Sequence, residues 1–504
     1  MTTAAVAGAG VGAGSVSEAR TGAGSGAGSG AGSGAESAAE VREWARRAAW
    51  LAPVLAVIAL LLVPGGGGEG TRGGTGGSGT IADAASGLLV LVCLVRVVRS
   101  GARPLTRTAA VVLGLPVFGV CLAAVASSDP GASLPGIARY LQIFVLVPAA
   151  VLLSVRDRRD FALLAWALVA LALAEGAVGV AQYATGTGAS YQGEDVRAVG
   201  TFGATDVMGM ATVVAYGVVV AVGLALGGRP GRARTAALVC AAVLWVPLVL
   251  SFSRGAWIAT VLTCGVQLLL AGVRRAVRVA AVVAALGVVL VGGFGVGSAM
   301  VEERVASITQ VTAAPDQSVT DRYTLWAAAG RIWREEPLTG VGLKEFPAYR
   351  DAHASLALSS GSDTAGAGAL YARQPLLSPH NMYLLVLSEQ GLIGLLALAG
   401  GWAVLLVAGV RRGWRRWPTR RGRSVRSVGS VGLAGPVGQS AWAGRSGSGS
   451  GSGSDSGCAL VATGLLVWQL VDFCYADIGG PSTVLMSVVL GLAAWWSLTE
   501  VRGA

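Results

Sequence analysis

The sequence predicts an all-α polytopic membrane protein with about twelve transmembrane helices and one large extracytoplasmic loop. Three observations carry this reading. Of the 504 residues, 53% are hydrophobic and only 13% are charged, with positive mean hydropathy, which is a membrane composition. The apolar residues gather into twelve segments, each roughly the 17–25 residues a bilayer requires. The arginines alternate from one connection to the next, as the positive-inside bias of spanning chains produces.

Residues 1–40 are Gly/Ala/Ser repeats such as GAGSGAGSGAGSGA, within a tail of residues 1–45. They cannot bury enough apolar area to order themselves, so a disordered cytoplasmic tail is expected. The tail lacks the basic start, apolar core and cleavage site of a signal peptide. Apolar segments at 46–64, 81–98, 107–127, 135–155, 161–184, 206–227, 235–250, 257–272 and 277–296 make helices one to nine, within region 46–296. Residues 297–379 are the large loop, 380–410 the tenth helix, and 411–457 an Arg/Gly/Ser-rich cytoplasmic loop. Segments 458–476 and 482–498 complete the set inside 458–504.

One set of connections holds Arg99, Arg103 and Arg107, then Arg156, Arg158 and Arg159, then Arg229, Arg232 and Arg234, then Arg274, Arg275 and Arg278. Arg411, Arg412, Arg415, Arg416, Arg420, Arg421 and Arg423 follow the tenth segment. The opposite short loops carry only Arg72, Arg197 and Arg254. Both termini and the Arg-rich loops are therefore expected in the cytoplasm, in a multi-pass protein of the cell membrane. The net charge of +11, with 37 of 38 basic residues Arg, is thus topology signal spread over loops, and nucleic acid is excluded as a partner. Cys93, Cys121, Cys240, Cys264, Cys458 and Cys474 all lie in apolar segments without metal-ligand spacing, which supports neither a disulfide framework nor a zinc site. Two histidines, His353 and His380, exclude a His-rich metal site. No metal and no cofactor is expected.

The most informative stretch is Leu376 to Leu395, LLSPHNMYLLVLSEQGLIGL. Ser378 followed by Pro379 is a helix-start signal, a side-chain cap and then a residue without the amide a first turn cannot use. That puts His380 and Asn381 in the first turn, where unpaired N–H groups attract anions such as phosphate and disfavour a charged imidazole. His380 is then either a neutral base beside a bound phosphate or an ordinary interfacial histidine.

Around it, Ser318 to Glu335 reads as a helix with a Ser318-x-x-Asp321 capping box. It carries Arg322, Tyr323, Trp326 and Trp333 and is followed by a Leu338–Gly342 turn. Arg254, in Ser251-Phe252-Ser253-Arg254-Gly255, runs against the topology bias. It is either a snorkelling side chain or a guanidinium fork for an anion. Arg197 has Glu194 and Asp195 nearby for a plain ion pair, and Arg322 can lie on a solvated face. Arg139 is an intramembrane charge, by default functional or the partner of another buried group. Asp472 can orient His380 or pair with an arginine. Glu389, nine residues after His380, is out of phase with it on a helix and is read as a packing residue. His353 has no matching context.

Together SFSRGAW, RAVGTFG, DRYTLWAAAGRIWREEPLTGVGLKEF and SPHNMYLLVLSEQGLIGLL resemble the O-antigen ligase and polymerase family of bacterial membrane proteins. The likeness covers about residues 170–400 in motif detail. It implies a GT-C-like fold and a metal-independent glycosyltransferase, which takes a glycan from a polyprenyl diphosphate carrier (undecaprenyl diphosphate) to an acceptor hydroxyl at the outer membrane face. Such a protein builds cell-surface polysaccharide of the envelope. The partners implied are the lipid-linked glycan donor, an acceptor glycan, lipid or protein, and membrane lipid. Carried over by motif, the histidine of the HN pair is His380, the SRG arginine is Arg254, and the arginine before GTFG is Arg197. After GTFG this chain has Ala204-Thr205-Asp206, where many relatives carry an Asn-containing stretch. The expectation is a catalytic pair His380 and Arg254, with substrate contacts from Arg197, Arg322, Arg139, Asn381 and Asp472. Two other classes stay open: a multi-pass solute transporter, which would favour inverted repeats and broken helices near the midplane, and a non-catalytic envelope scaffold.

Overall fold

The computed structural model describes residues 29–63, 80–101, 105–128, 130–190, 196–206, 208–227, 231–288, 317–358, 362–366, 369–374, 376–416, 451–480 and 482–499. The tail to residue 28, Arg72, Arg103, Glu194, Asp195, Arg229, the end of segment nine, residues 297–316 and the arginines beyond Arg416 lie outside the described residues. Two compact units divide after Ala49. In the first, helix α1 (Ser29–Leu60) begins inside the tail expected to be disordered. Its Ala-rich composition favours helix, and Arg47 pairs with Glu43 one turn earlier. The rest of α1 belongs to the second unit.

In the second unit the helices are α2 (Ile81–Ser100), α3 (Arg107–Ala126), α4 (Pro130–Leu141) continuing through a π turn (Gln142–Leu146) into α5 (Val147–Ser154), α6 (Arg158–Thr185), α7 (Gly209–Gly227), α8 (Arg232–Leu250), α9 (Arg254–Ala271) and α10 (Val273–Val288). Then come α11 (Gln317–Glu335), α12 (Phe346–His353), α13 (Met382–Arg416), α14 (Gly451–Asp472) and α15 (Thr483–Leu498). Strands β1 (Ala189–Ser190), β2 (Ser362–Gly366) and β3 (Ala369–Gln374) form a small antiparallel sheet in that order, an addition to the all-α expectation. Eight of the described helices are long and apolar enough to cross a membrane. The other predicted segments are also helical, in α1, α10, α14 and α15, but fall short of that length or hydropathy. The chain is a polytopic membrane protein on this evidence.

Packing follows composition. Helix α7, GMATVVAYGVVVAVGLALG, has no polar face and is buried nearly throughout, as a helix apolar all round must be. It packs on α6, α8, α9 and α14, while α13 packs on α3, α11, α14 and α15. Thr80 and Asp83 form a reciprocal capping box at the start of α2.

Helix α13 is broken at Gly391, whose φ of 64° and ψ of −167° are not helical. The segment after α11 fills the break. Val341 and Gly342 donate their amides to Ser388 O (3.0 Å) and Glu389 O (3.1 Å), and Leu392 and Ile393 donate to Pro337 O (2.9 Å) and Leu338 O (3.2 Å). Two carbonyls and two amides at the break thus find partners in the inserted segment, as backbone buried in a membrane protein requires. The buried Glu389 joins the same lock by accepting from Phe346 N at 3.3 Å. Its neighbour Glu345 accepts from the Ser127 and Ser128 hydroxyls at 2.9 Å each.

Candidate active site

The sequence elements singled out above meet on the connection between α14 and α15, residues 473–482. Asn381 caps α13: its Oδ1 accepts from Leu384 N at 3.0 Å, and its Nδ2 donates to Cys474 O at 2.9 Å. Met382 N, the next amide, donates to Phe473 O (2.9 Å) and Ala476 O (3.0 Å). This corrects the expected helix start. Ser378 is not the cap, α13 begins at Met382, and His380 precedes the cap in a left-handed conformation with φ of 48°. Asparagine is as good a cap as serine, and here it also ties α13 to the connection. The Met382 and Leu384 amides expected to face an anion are taken by protein carbonyls and the cap.

Three non-glycine residues have positive φ among the described residues: Phe252, Lys344 and His380. A bulky residue there is strained, and such strain collects at functional sites. Phe252 stands two residues before Arg254, and His380 is the predicted base. Burial holds the His380 imidazole below its ordinary value, the nearby Asp477 carboxylate opposes this, and the Arg322 guanidinium adds to it. His380 is therefore neutral at pH 7 and able to accept a proton.

Arg322 reaches the site from the first turns of α11, within electrostatic range of both His380 and Asp472. The same helix is fixed to the segment before His380 by Trp326, whose Nε1 donates to Pro379 O at 2.9 Å. Asp472 is buried at the end of α14 and feels Asp206 and Asp477 as well as Arg322. Asp206, in the Ala204-Thr205-Asp206 stretch, accepts from Ser482 N at 3.1 Å. Burial raises its carboxyl against hydrogen bonds from Ser482 and Gly209.

Arg254 is exposed as the first residue of α9, after the cap Ser253. Gly255 lets this turn approach the connection: a Cβ there would meet the Tyr475 ring at 3.0 Å. Arg197 is half-buried and bonded through its backbone to Ala189. The next amide, Ala198 N, donates to Leu250 O at 3.1 Å, so the Arg197 segment abuts the end of α8 that leads to Arg254. The following turn is clamped by α6. Gln182 accepts from Val199 N (3.1 Å) and Gly200 N (2.8 Å) and donates to Gly200 O (2.9 Å). The fully buried Glu175 accepts from Thr201 N (3.0 Å) and Thr201 Oγ1 (2.5 Å).

Arg139 pairs with Asp83 and donates to Gly480 O at 3.5 Å. It is the ion-pair partner of the part-buried Asp83, tying α4 to α2 and to the connection. His353 bonds Glu335 Oε1 and Tyr349 O at 2.8 Å each, a link between α11 and α12 away from His380. The reading from sequence missed Asp477, Glu175, Gln182 and the donation from Trp326. Of these only Asp477 left a signal, in the turn-rich DIGGP that follows Asp472.

No curated protein matches the chain. A family described as O-antigen ligase matches residues 236–399, which include Arg254, Arg322, His380 and Asn381, and that match supports the O-antigen ligase/polymerase family for this chain.

Proposed function

We propose that the chain is a membrane glycosyltransferase of the ligase or polymerase type, moving a glycan from a polyprenyl diphosphate carrier to an acceptor hydroxyl at the outer face of the cell membrane. The observation that carries the reading is the convergence of a strained, neutral His380, Arg322 and the Arg254 turn on one connection, in a chain whose central region matches this family.

The step is a single inverting displacement without metal. The acceptor oxygen attacks the anomeric carbon, its proton passes to His380, and the bond from the anomeric carbon to the diphosphate oxygen breaks. The leaving diphosphate gains negative charge, which Arg254 and Arg197 offset by guanidinium hydrogen bonds, with Arg322 beside the base. General-base help of this kind is worth roughly 10² to 10⁴ in rate. Asn381 holds the segment of His380 in place, while Asp477 supplies negative charge that favours the imidazolium formed during transfer, and Asp472 lies beside Arg322. The lipid tail lies between helices, and α11 with α12 covers the glycan.

The test is the pool of lipid-linked glycan in cells lacking the chain, complemented with native protein or with His380→Ala at matched membrane abundance. The pool accumulates in the null, clears with the native chain and stays high with the variant. A pool that never changes in the null overturns the reading, and clearance by the variant overturns the role of His380.

A further inference from the structure

Helix α11 carries one large side chain that neither packing nor the proposed chemistry uses. Its buried face is Asp321, Thr324, Leu325, Ala328, Ala329 and Ile332, spaced three and four apart as a core stripe is. Tyr323 points the other way and is 57% exposed. At 3.6 residues per turn, Trp326 lies between Arg322 and Tyr323 around the helix, about 40° from the first and about 60° from the second. Trp326 is bonded to Pro379, next to His380, and Arg322 acts on His380 itself. The Tyr323 ring therefore stands on the flank of the site, edge-on to Trp326 with centroids 5.6 Å apart at 85°.

An exposed tyrosine near a bilayer is ordinarily an interfacial anchor, but the rest of this face is hydrated. Arg334 is exposed about 20° from Tyr323 around α11, and the helix is not among the candidate spans. An open aromatic ring with a polar tip, braced edge-on by a tryptophan and next to a charged group, suits a ligand with one apolar face and a polar rim. A pyranose is such a ligand: the axial C–H bonds of one face point into the aromatic ring while its hydroxyls reach Arg322 and water.

We propose that Tyr323, braced by Trp326 and flanked by Arg322, is a sugar-stacking subsite for a pyranose ring of the glycan in transfer. This rests on the glycosyl-transfer reading and adds to it the residue that grips the sugar rather than the diphosphate. The ring comes from the donor glycan or from a sugar acceptor, and the experiment separates the two.

The full chain, purified in detergent, is supplied with lipid-linked glycan extracted from cells lacking it and with a membrane extract of the same cells as acceptor. Released polyprenyl diphosphate is measured for native protein, Tyr323→Ala, Tyr323→Phe and His380→Ala. Bare polyprenyl diphosphate is the competing probe. Tyr323→Ala raises the donor KM on the order of tenfold if the stacked ring is the donor's. It raises the half-saturating acceptor extract by a similar factor if the ring is the acceptor's. In both cases Tyr323→Phe restores the native value, because the ring face is kept. The inhibition constant of bare polyprenyl diphosphate, which has no sugar, stays the same in native and Tyr323→Ala protein.

Unchanged saturation for both substrates overturns the subsite. An equal shift for the bare lipid also overturns it, because the tyrosine then holds lipid or the membrane surface. Native protein that consumes no donor overturns the glycosyl-transfer reading and the subsite with it. Loss of activity confined to His380→Ala, with both saturation curves unmoved in Tyr323→Ala, keeps the glycosyl-transfer reading and removes only the subsite.

Discussion

Gly391→Ala is the substitution whose cost can be worked most directly from the backbone. Gly391 has φ of 64° and ψ of −167°, a region populated essentially by glycine alone, where other residues cost about 1–3 kcal/mol. A Cβ there would also come closer than 3.0 Å to Leu338 O, Leu338 C and Gly340 N. All three are backbone atoms of the segment that fills the break in α13, held by four hydrogen bonds across it, so no side chain can swing aside. Overpacking of this kind adds about 1–3 kcal/mol, for a total of about 2–6 kcal/mol. Gly330→Ala is the control, since nothing lies within 4 Å of a Cβ there and alanine gains about 0.5–1 kcal/mol over glycine in a helix. The assay is the temperature at which half of the detergent-solubilised protein remains monodisperse. Gly391→Ala lowers it by several degrees and Gly330→Ala leaves it level or raises it. Equal midpoints for native and Gly391→Ala would refute the account of the break.

Gln182→Ala removes three hydrogen bonds from the turn after Arg197, about 1.5–4.5 kcal/mol at 0.5–1.5 each; it weakens donor binding, read as a higher KM, and lowers the same thermal midpoint. Asn381→Ala costs about 0.5–2 kcal/mol in lost capping and also frees the tie to Cys474, whereas Asn381→Asp keeps the cap and loses only the tie; midpoints that rank native, Asp, Ala in falling order check this. The pH profile tests His380. Its folded value lies below the ordinary one, so the neutral base persists at pH 7 and activity falls only as pH drops through that lowered value, with the acid limb below about 6.5. By the same linkage its contribution to stability is present above the ordinary value and lost on acidification. Asp477→Asn removes a charge that raises the histidine and shifts the limb to lower pH; Arg322→Gln removes one that lowers it and shifts the limb to higher pH. Limbs that move together, or not at all, would contradict the arrangement.

The helices were legible because spanning length and arginine spacing are one-dimensional signals, and among the described residues each apolar segment is largely helical. The cap at α13 was misread because Ser378-Pro379 is a local start signal, whereas Asn381 is preferred through a contact to Cys474, far along the chain. The break at Gly391 was equally hidden: a glycine inside an apolar run reads as a tolerated weak point, and only the arrival of residues 337–342 makes it necessary. The LTGVG turn was legible as a turn but not as the piece that fills a helix. For the site, His380, Arg254, Arg197, Arg322 and Asp472 stood out as polar residues in the wrong places for packing. Asp477, Glu175 and Gln182 did not, because their importance lies in which backbone groups they meet. Arg139 took one of the two roles expected of an intramembrane charge, and what the sequence hid was the identity of its partner, Asp83, 56 residues earlier.

The most direct test of the central claim is a single-enzyme reaction. Native chain and His380→Ala, each reconstituted in liposomes, are given lipid-linked glycan and acceptor membranes, and the initial rate of polyprenyl diphosphate release is compared. The account predicts release by the native chain and a rate lower by about 10² to 10⁴ for the variant. Equal rates would contradict His380 as the base, and no release by the native chain would contradict glycosyl transfer.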